Sequence, residues 1–262
     1  GDHNFWIIRN GQFQLVKTDE IINKDYLPIP RTIEVKNLKS LKSVQIINYI
    51  TGVKTYFKYK DIKSEVNKDE LQKKLGYQKC YGVLNNNEGI NIDNLNKFNI
   101  SKVIMESINI YRKYGKSIKN RIELDCNLLS LLGIYIAEGH SSYRYLLLSA
   151  HEKEFKKLLK QNLNNLDIKY KERNFNKGDF QISNSLLNDF ISNICGKKSH
   201  NKQLPEWFMQ LSNVQLSQIL NNYFSGDGTV TENEIQAVTA SRKLASDLSY
   251  ALLRYGINVR IR

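Results

Sequence analysis

Leu131-Leu132-Gly133-Ile134-Tyr135-Ile136-Ala137-Glu138-Gly139 and Leu220-Asn221-Asn222-Tyr223-Phe224-Ser225-Gly226-Asp227-Gly228 are two copies of one pattern. Each closes an apolar helix, one over 127–137 and the other over 214–225, and each delivers an acid followed by glycine. Glycine there suits a helix stop. Glu138 and Asp227 stand 89 residues apart. An acid at a helix C-terminus opposes the macrodipole by roughly 0.3–1 kcal/mol. Repeating that arrangement calls for a compensating cation, and a divalent metal shared with substrate phosphates is the natural one. Side-by-side pairing of the helices would bring both acids together, and like charges repel unless a cation lies between them. Small contact residues permit such pairing: Gly133 and Ala137 in the first helix, Gly226 and the bulkier Asn222 in the second. A single acid before glycine reads more readily as an exposed helix end than as a site. Two at matched positions favour function.

The sequence beyond each motif repeats as well. In the first copy a strand over 143–149 precedes an amphipathic helix over 152–166. A hairpin follows, over 168–173 and 179–183, turning at Lys177-Gly178, and then a helix over 185–194. In the second copy a strand over 234–239 precedes a helix over 242–255 and a strand over 257–262. Position 151, just before the next helix, lies 12 residues after the first glycine, and position 241 lies 13 after the second; the following strands begin 17 and 16 residues beyond those positions. Such self-similarity marks an internal duplication. In the strand after each helix, period 2 places Lys169, Lys171 and Arg173, or Asn258, Arg260 and Arg262, on one face. A basic strand face can neutralise phosphates and read bases in a major groove. A basic loop with Lys197, Lys198 and Lys202 precedes the second motif.

Upstream, residues 1–60 read as β-rich. Asn10-Gly11 between two apolar runs is a strong hairpin signal, and Pro28 and Pro30 bar a helix over 25–31. Residues 61–121 change character. A helix through Leu75, a break at Gly76 and a second short helix from Lys79 outline either a helix-turn-helix unit, which would make 61–121 a DNA-recognition region, or a plain helical insert. A basic helix is expected over 99–119. The domains are therefore expected at 1–60, 61–121 and 122–262, the last split into repeats 122–213 and 214–262.

The chain has 262 residues, 41% of them hydrophobic, and a net charge of +13. That composition excludes wholesale disorder. No apolar run is long enough for a membrane span, and no leader-like segment opens the sequence. Cys80, Cys126 and Cys195 are odd in number and widely spaced, which points to an intracellular, reducing setting. The positive balance favours a polyanionic partner.

The two nonapeptides resemble the dodecapeptide motifs of LAGLIDADG homing endonucleases, in the variety found within inteins. The resemblance covers about 124–262. It implies an α+β fold: a pseudo-twofold duplicated αββαββ core with a two-helix interface and a saddle of sheets over duplex DNA. It also implies a site-specific endonuclease acting on double-stranded DNA with a long recognition site, using Mg2+ or Mn2+. Glu138 and Asp227, together with Gly139 and Gly228, would form the metal site. Lys202 in Asn201-Lys202-Gln203-Leu204-Pro205 matches the family's lysine near the active centre, with Lys197 and Lys198 as competitors. There it would stabilise transition-state charge or position water. Lys202 lies 64 residues after Glu138, so its counterpart would fall near position 291. The second half is thus incomplete: either the chain is cut, or a complementary chain or remaining intein part completes the fold.

Residues 1–31 resemble part of an intein splicing domain, an all-β fold, around its histidine-bearing block: His3, Asn10-Gly11, Val16-Lys17 and the run from Asp25 to Arg31. The family's first-residue nucleophile and terminal His-Asn pair have no counterpart. His3 would polarise a scissile peptide only with parts supplied in trans, and is otherwise a relic. Two alternatives to the endonuclease stand: a non-cleaving DNA- or RNA-binding protein, and a fragment of a splicing-competent intein.

Overall fold

Asn10 and Gly11 both occupy the left-handed region, at φ 52° and 76°. Such a turn has the twist of the strands it joins. In the computed structural model it joins β1 (Asn4–Arg9) to β2 (Gln12–Lys17), antiparallel, with Arg9 opposite Gln12. The structure describes residues 3–33, 40–50, 54–113, 115–173 and 178–262. It divides into two units, one of Gly1–Lys36 with Ser249–Arg262 and the other of Asn37–Leu248.

In the first unit the hairpin buries Ile7 and Val16 and exposes Trp6, Phe13 and Leu15. Tyr26 bridges Ile8 through backbone bonds of 2.8 and 3.0 Å. Arg9 donates to both Asp25 oxygens at 2.7 Å and so holds that carboxyl down at about 2. The strand expected over 257–262 is not formed. The Ile257 N–H turns back to the Leu252 carbonyl at 3.1 Å, and among the described residues no strand runs beside 258–262. A segment without a ladder partner is not a strand. Asn258, Arg260 and Arg262 are therefore not presented on a sheet face.

The second unit begins with β3 (Ser43–Gln45) and β4 (Tyr56–Phe57), followed by α1 (Lys68–Leu75), α2 (Tyr77–Asn85) and β5 (Ile90–Asn91). Next come α3 (Lys102–Ser107), β6 (Asn109–Tyr111), β7 (Ile118–Lys119) and β8 (Arg121–Glu123). Strand β3 pairs with β8, and a small sheet runs β5-β4-β6-β7. Residues 43–57 are thus woven into 90–123, so the expected boundaries at 60 and 121 cut through paired strands. The long helix expected over 99–119 is replaced by α3 and a strand pair. Ile108 and Ile110 are both fully buried, and that alternation in twos overrides the helical pattern.

The rest of the unit is built on α4 (Cys126–Glu138), capped by Asp125, whose Oδ1 accepts from the Leu128 N–H at 2.8 Å. It leads directly into β9 (Gly139–Ser141), then β10 (Leu146–Ser149), α5 (Lys153–Asn165), β11 (Lys171–Glu172), β12 (Asp179–Ile182) and α6 (Ser185–Cys195). The strands form one antiparallel sheet in the order β11-β12-β10-β9. Leu146, Leu148, Phe180 and Ile182 point inward from it and are fully buried. The turn read at Lys177-Gly178 falls on Lys177, which lies outside the described residues.

After α6 come α7 (Asn213–Asp227), β13 (Gly228–Val230), β14 (Ile235–Ala237) and α8 (Arg242–Leu253). The order helix, strand, strand, helix thus occurs twice. The second pair of strands stands as a two-stranded sheet, and Val230 and Ile235 are exposed on it. The fold is mixed α+β with several small sheets, and no helix among the described residues is long and apolar enough to cross a membrane.

Asn120 ties the woven segment together. Its side chain accepts from the Ile47 N–H at 3.0 Å and donates to the Met105 carbonyl at 2.8 Å, fully buried. Asn120→Ala should cost about 1–3 kcal/mol, because buried backbone groups lose their partners. Urea denaturation checks this; an unchanged midpoint would contradict the interleaved fold.

Candidate active site

Two helices that meet along small residues can approach until backbone touches backbone. A methyl group built on Gly133 of α4 would lie 2.4 Å from the Ile219 carbonyl oxygen and 2.9 Å from the Asn222 Cβ of α7. Real contacts are never that short, so only glycine fits. One turn further on, a methyl on Gly226 would lie 2.7 Å from the Ala137 Cβ and 3.3 Å from the Glu138 Cγ. Gly133, Ala137, Asn222 and Gly226 therefore lie in the contact between α4 and α7. Asn222 is buried there; its amide donates to Ser130 Oγ at 3.1 Å and to the Gln218 carbonyl at 2.8 Å. Among the described residues its Oδ1 finds no hydrogen-bond partner.

This packing brings the two C-terminal ends together. Glu138 is exposed and Asp227 half-buried. Burial, and after it the charge of Glu138, push the Asp227 carboxyl up to about 6 against an opposing pull from Lys202. Gly226, the residue before Asp227, packs against the Glu138 side chain, which places the two acids near enough for one charge to act on the other. Gly139 and Gly228 follow them as the first residues of β9 and β13.

Lys202 is not a solvated loop lysine. It is 5% exposed, and its ammonium donates to the carbonyls of Tyr135 and, at 2.9 Å, Gly139, while lying 3.4 Å from the Tyr135 ring centroid. A cation over the last carbonyls of α4 offsets the macrodipole where Glu138 opposes it. Burial lowers its pKa to about 8. The Gly139 carbonyl is engaged by this ammonium. A tight loop positions the lysine. Gly196 has φ +82°, and a methyl there would lie 1.7 Å from the Asn201 carbonyl oxygen. The Tyr135 hydroxyl donates to the Gly196 carbonyl at 2.8 Å, and Ser241 Oγ donates to the Lys202 carbonyl at 2.6 Å. Tyr135 and Ser241 were missed by sequence reasoning; only the position of Tyr135, three residues before Glu138, hinted at a role. Lys197 and Lys198 are exposed, and Lys197 lies 4.0 Å from Asp189.

The outward face of the four-stranded sheet runs Lys171, Gln181, Leu147, His140 across the strands. Arg173 donates to Gln181 Oε1 at 3.2 and 3.4 Å and lies 5.2 Å from the Tyr145 ring centroid. Lys169 is exposed just before β11. His140, exposed two residues after Glu138, joins this face and was not singled out from sequence. His3 lies in the other unit, exposed, its carbonyl accepting from Thr18. Among the described residues no group of three or more His, Cys, Asp or Glu is gathered for a metal. A carboxylate pair still suits Mg2+, which commonly takes one or two carboxylates and fills its shell with water and phosphate oxygens.

Residues 215–262, from α7 through Asp227 to the end of the chain, match the sequence profile of a LAGLIDADG-like domain. The match supports the homing-endonuclease family and a nuclease or DNA-binding role. Among curated relatives from Methanocaldococcus jannaschii, DNA-directed RNA polymerase subunit Rpo1C is 29% identical over 166 residues, 61% of this chain and 19% of that protein. The replication factor C small subunit is 28% identical over 151 residues, 55% of this chain and 8% of its own length. The uncharacterized protein MJ1054 is 24% identical over 293 aligned positions, covering the whole of this chain and 32% of that protein. The chain thus spans less than a third of the length of each.

Lys202 supplies a measurable signature. Its folded pKa of about 8 lies below the ordinary 10.5, so between those values the unfolded chain binds more protons and stability rises with pH. Lys202→Met should lose stability by about 1–3 kcal/mol near neutral pH and should lose that alkaline rise. Denaturation from pH 7 to 11 checks both; a parallel rise in the variant would contradict the burial of this ammonium.

Proposed function

We propose that the chain is the DNA-cutting part of an intein-derived homing endonuclease that hydrolyses phosphodiesters of duplex DNA at Glu138 and Asp227. The observation that carries this reading is the packing of the two acid-bearing helix ends against each other, Gly226 lying against Ala137 and Glu138, with burial first and the Glu138 charge second raising the Asp227 carboxyl to about 6. A divalent cation, Mg2+ or Mn2+, bound to both would polarise the scissile phosphate and supply hydroxide near neutral pH. Glu138 and Asp227 hold and orient that group. In the metal-free site Asp227 becomes fully charged only above its raised pKa of about 6, and it would hold a cation as the carboxylate. Lys202 positions the α4 end and adds positive potential near Asp227. Lys171 and Arg173 neutralise flanking phosphates from the sheet face, with Lys169 beside them.

Intein origin draws support from the relatives. An RNA polymerase subunit and a replication factor bear unrelated names, yet the same chain matches a minor part of each. A segment shared by unlike proteins, and small in each, is what an inserted element leaves.

A supercoiled plasmid library incubated with Mg2+ tests the reading. Discrete cuts should appear, vanish in EDTA, and fall by on the order of 100- to 1,000-fold in Glu138→Gln and in Asp227→Asn. Cutting that survives both substitutions would refute the site.

A further inference from the structure

Between residues 54 and 121 there are fifteen Lys and Arg against seven Asp and Glu, so about a quarter of the chain carries +8 of its +13. None of the carboxylates proposed for catalysis lies there. Part of this charge is neutralised: Lys79 pairs with Glu88, Arg121 with Glu106 and Glu123, and Arg112 with Asp189. At the junction of α1 and α2 it is not. Lys73 and Lys74 close α1 and are exposed, and among the described residues neither forms an ion pair. Three residues on, Tyr77 opens α2 at 69% exposed, and one turn later Tyr81 is 54% exposed. Their rings stack on the outside of the helix, centroids 6.5 Å apart and tilted by 28°. Gln78 is exposed beside them.

The surface is held on a rigid frame. The Asn67 side chain caps α1 by accepting from the Glu70 N–H at 2.8 Å, and Leu71, Cys80 and Val83 anchor the two helices in the core. A pair of large aromatic rings left in water beside unpaired ammonium groups has no role in that core. Both features match a polyphosphate: lysines neutralise phosphate oxygens, and phenol hydroxyls donate to them.

We propose that the α1–α2 junction, through Lys73, Lys74, Tyr77 and Tyr81, is a second DNA-contacting surface. It docks on the sugar-phosphate backbone of the duplex that the carboxylate site cuts. The inference rests on the proposed DNA-cutting function and adds a footprint outside the catalytic core. Phosphate contacts set affinity and register without reading bases, so this surface contributes equally on any sequence.

Equilibrium binding of the full chain to a fluorescein-labelled random-sequence duplex, followed by anisotropy between about 50 and 200 mM KCl, tests it. Each lysine that neutralises a phosphate contributes about 0.9 to the slope of log affinity against log salt. Lys73→Gln/Lys74→Gln should therefore lower the slope by about 1.8 relative to the wild type. Tyr77→Ala/Tyr81→Ala should weaken binding several-fold with the slope unchanged, since a phenol carries no charge. Lys169→Gln/Lys171→Gln reports on the sheet face separately. If that variant loses slope while the α1–α2 variants match the wild type, the second surface is refuted and the proposed function stands. If the wild type binds no duplex at all, both fall.

Discussion

A backbone carbonyl on α7 sits where a side chain on Gly133 would have to be, and this close approach fixes everything at the far end of the two helices. With Gly226 against Ala137 and Glu138, the helices stay in contact to their last turns. The carboxylates then have nowhere to diverge: one is exposed, the other half-buried, and they share one electrostatic environment. Dispersion and burial along the interface hold two like charges close, at a cost that is greatest when both are ionised. A site strained in this way gains most when a cation arrives.

Lys202 is the counterpart of that strain on the side of α4. Its ammonium satisfies carbonyls at the helix end and lies over the Tyr135 ring, out of water. The protein thus places one buried positive charge beside the two acids. The loop that carries Lys202 depends on the positive φ of Gly196 and on Ser241 at the start of α8. Segments distant in sequence therefore meet at the site.

Much of this was legible in local sequence, because the signals are local. An apolar helix ending in an acid and a glycine, twice, needs no tertiary context to be noticed, and Asn10-Gly11 specifies its own turn. What failed was decided by partners. Ile108 and Ile110 fit a helix or a strand equally well until β4 and β7 are present to pair with β6. Residues 257–262 alternate in twos, yet form no strand because nothing described lies beside them. The burial of Lys202 was not legible either, because the groups around it, Tyr135 and Gly196, owe their position to folding and not to spacing. The pairing of 43–57 with 90–123 was hidden for the same reason: strands of two or three residues carry too little pattern to announce long-range partners.

The central claim is that two helix ends hold their carboxylates within reach of each other, and the Asp227 carboxyl reports on it directly. In a carbon-13 NMR titration of the metal-free protein, Asp227 should titrate at about 6 and move down toward the ordinary 3.8 when Glu138 is replaced by glutamine. A midpoint that starts near 3.8, or one that ignores Glu138→Gln, would mean that the two acids do not share a site.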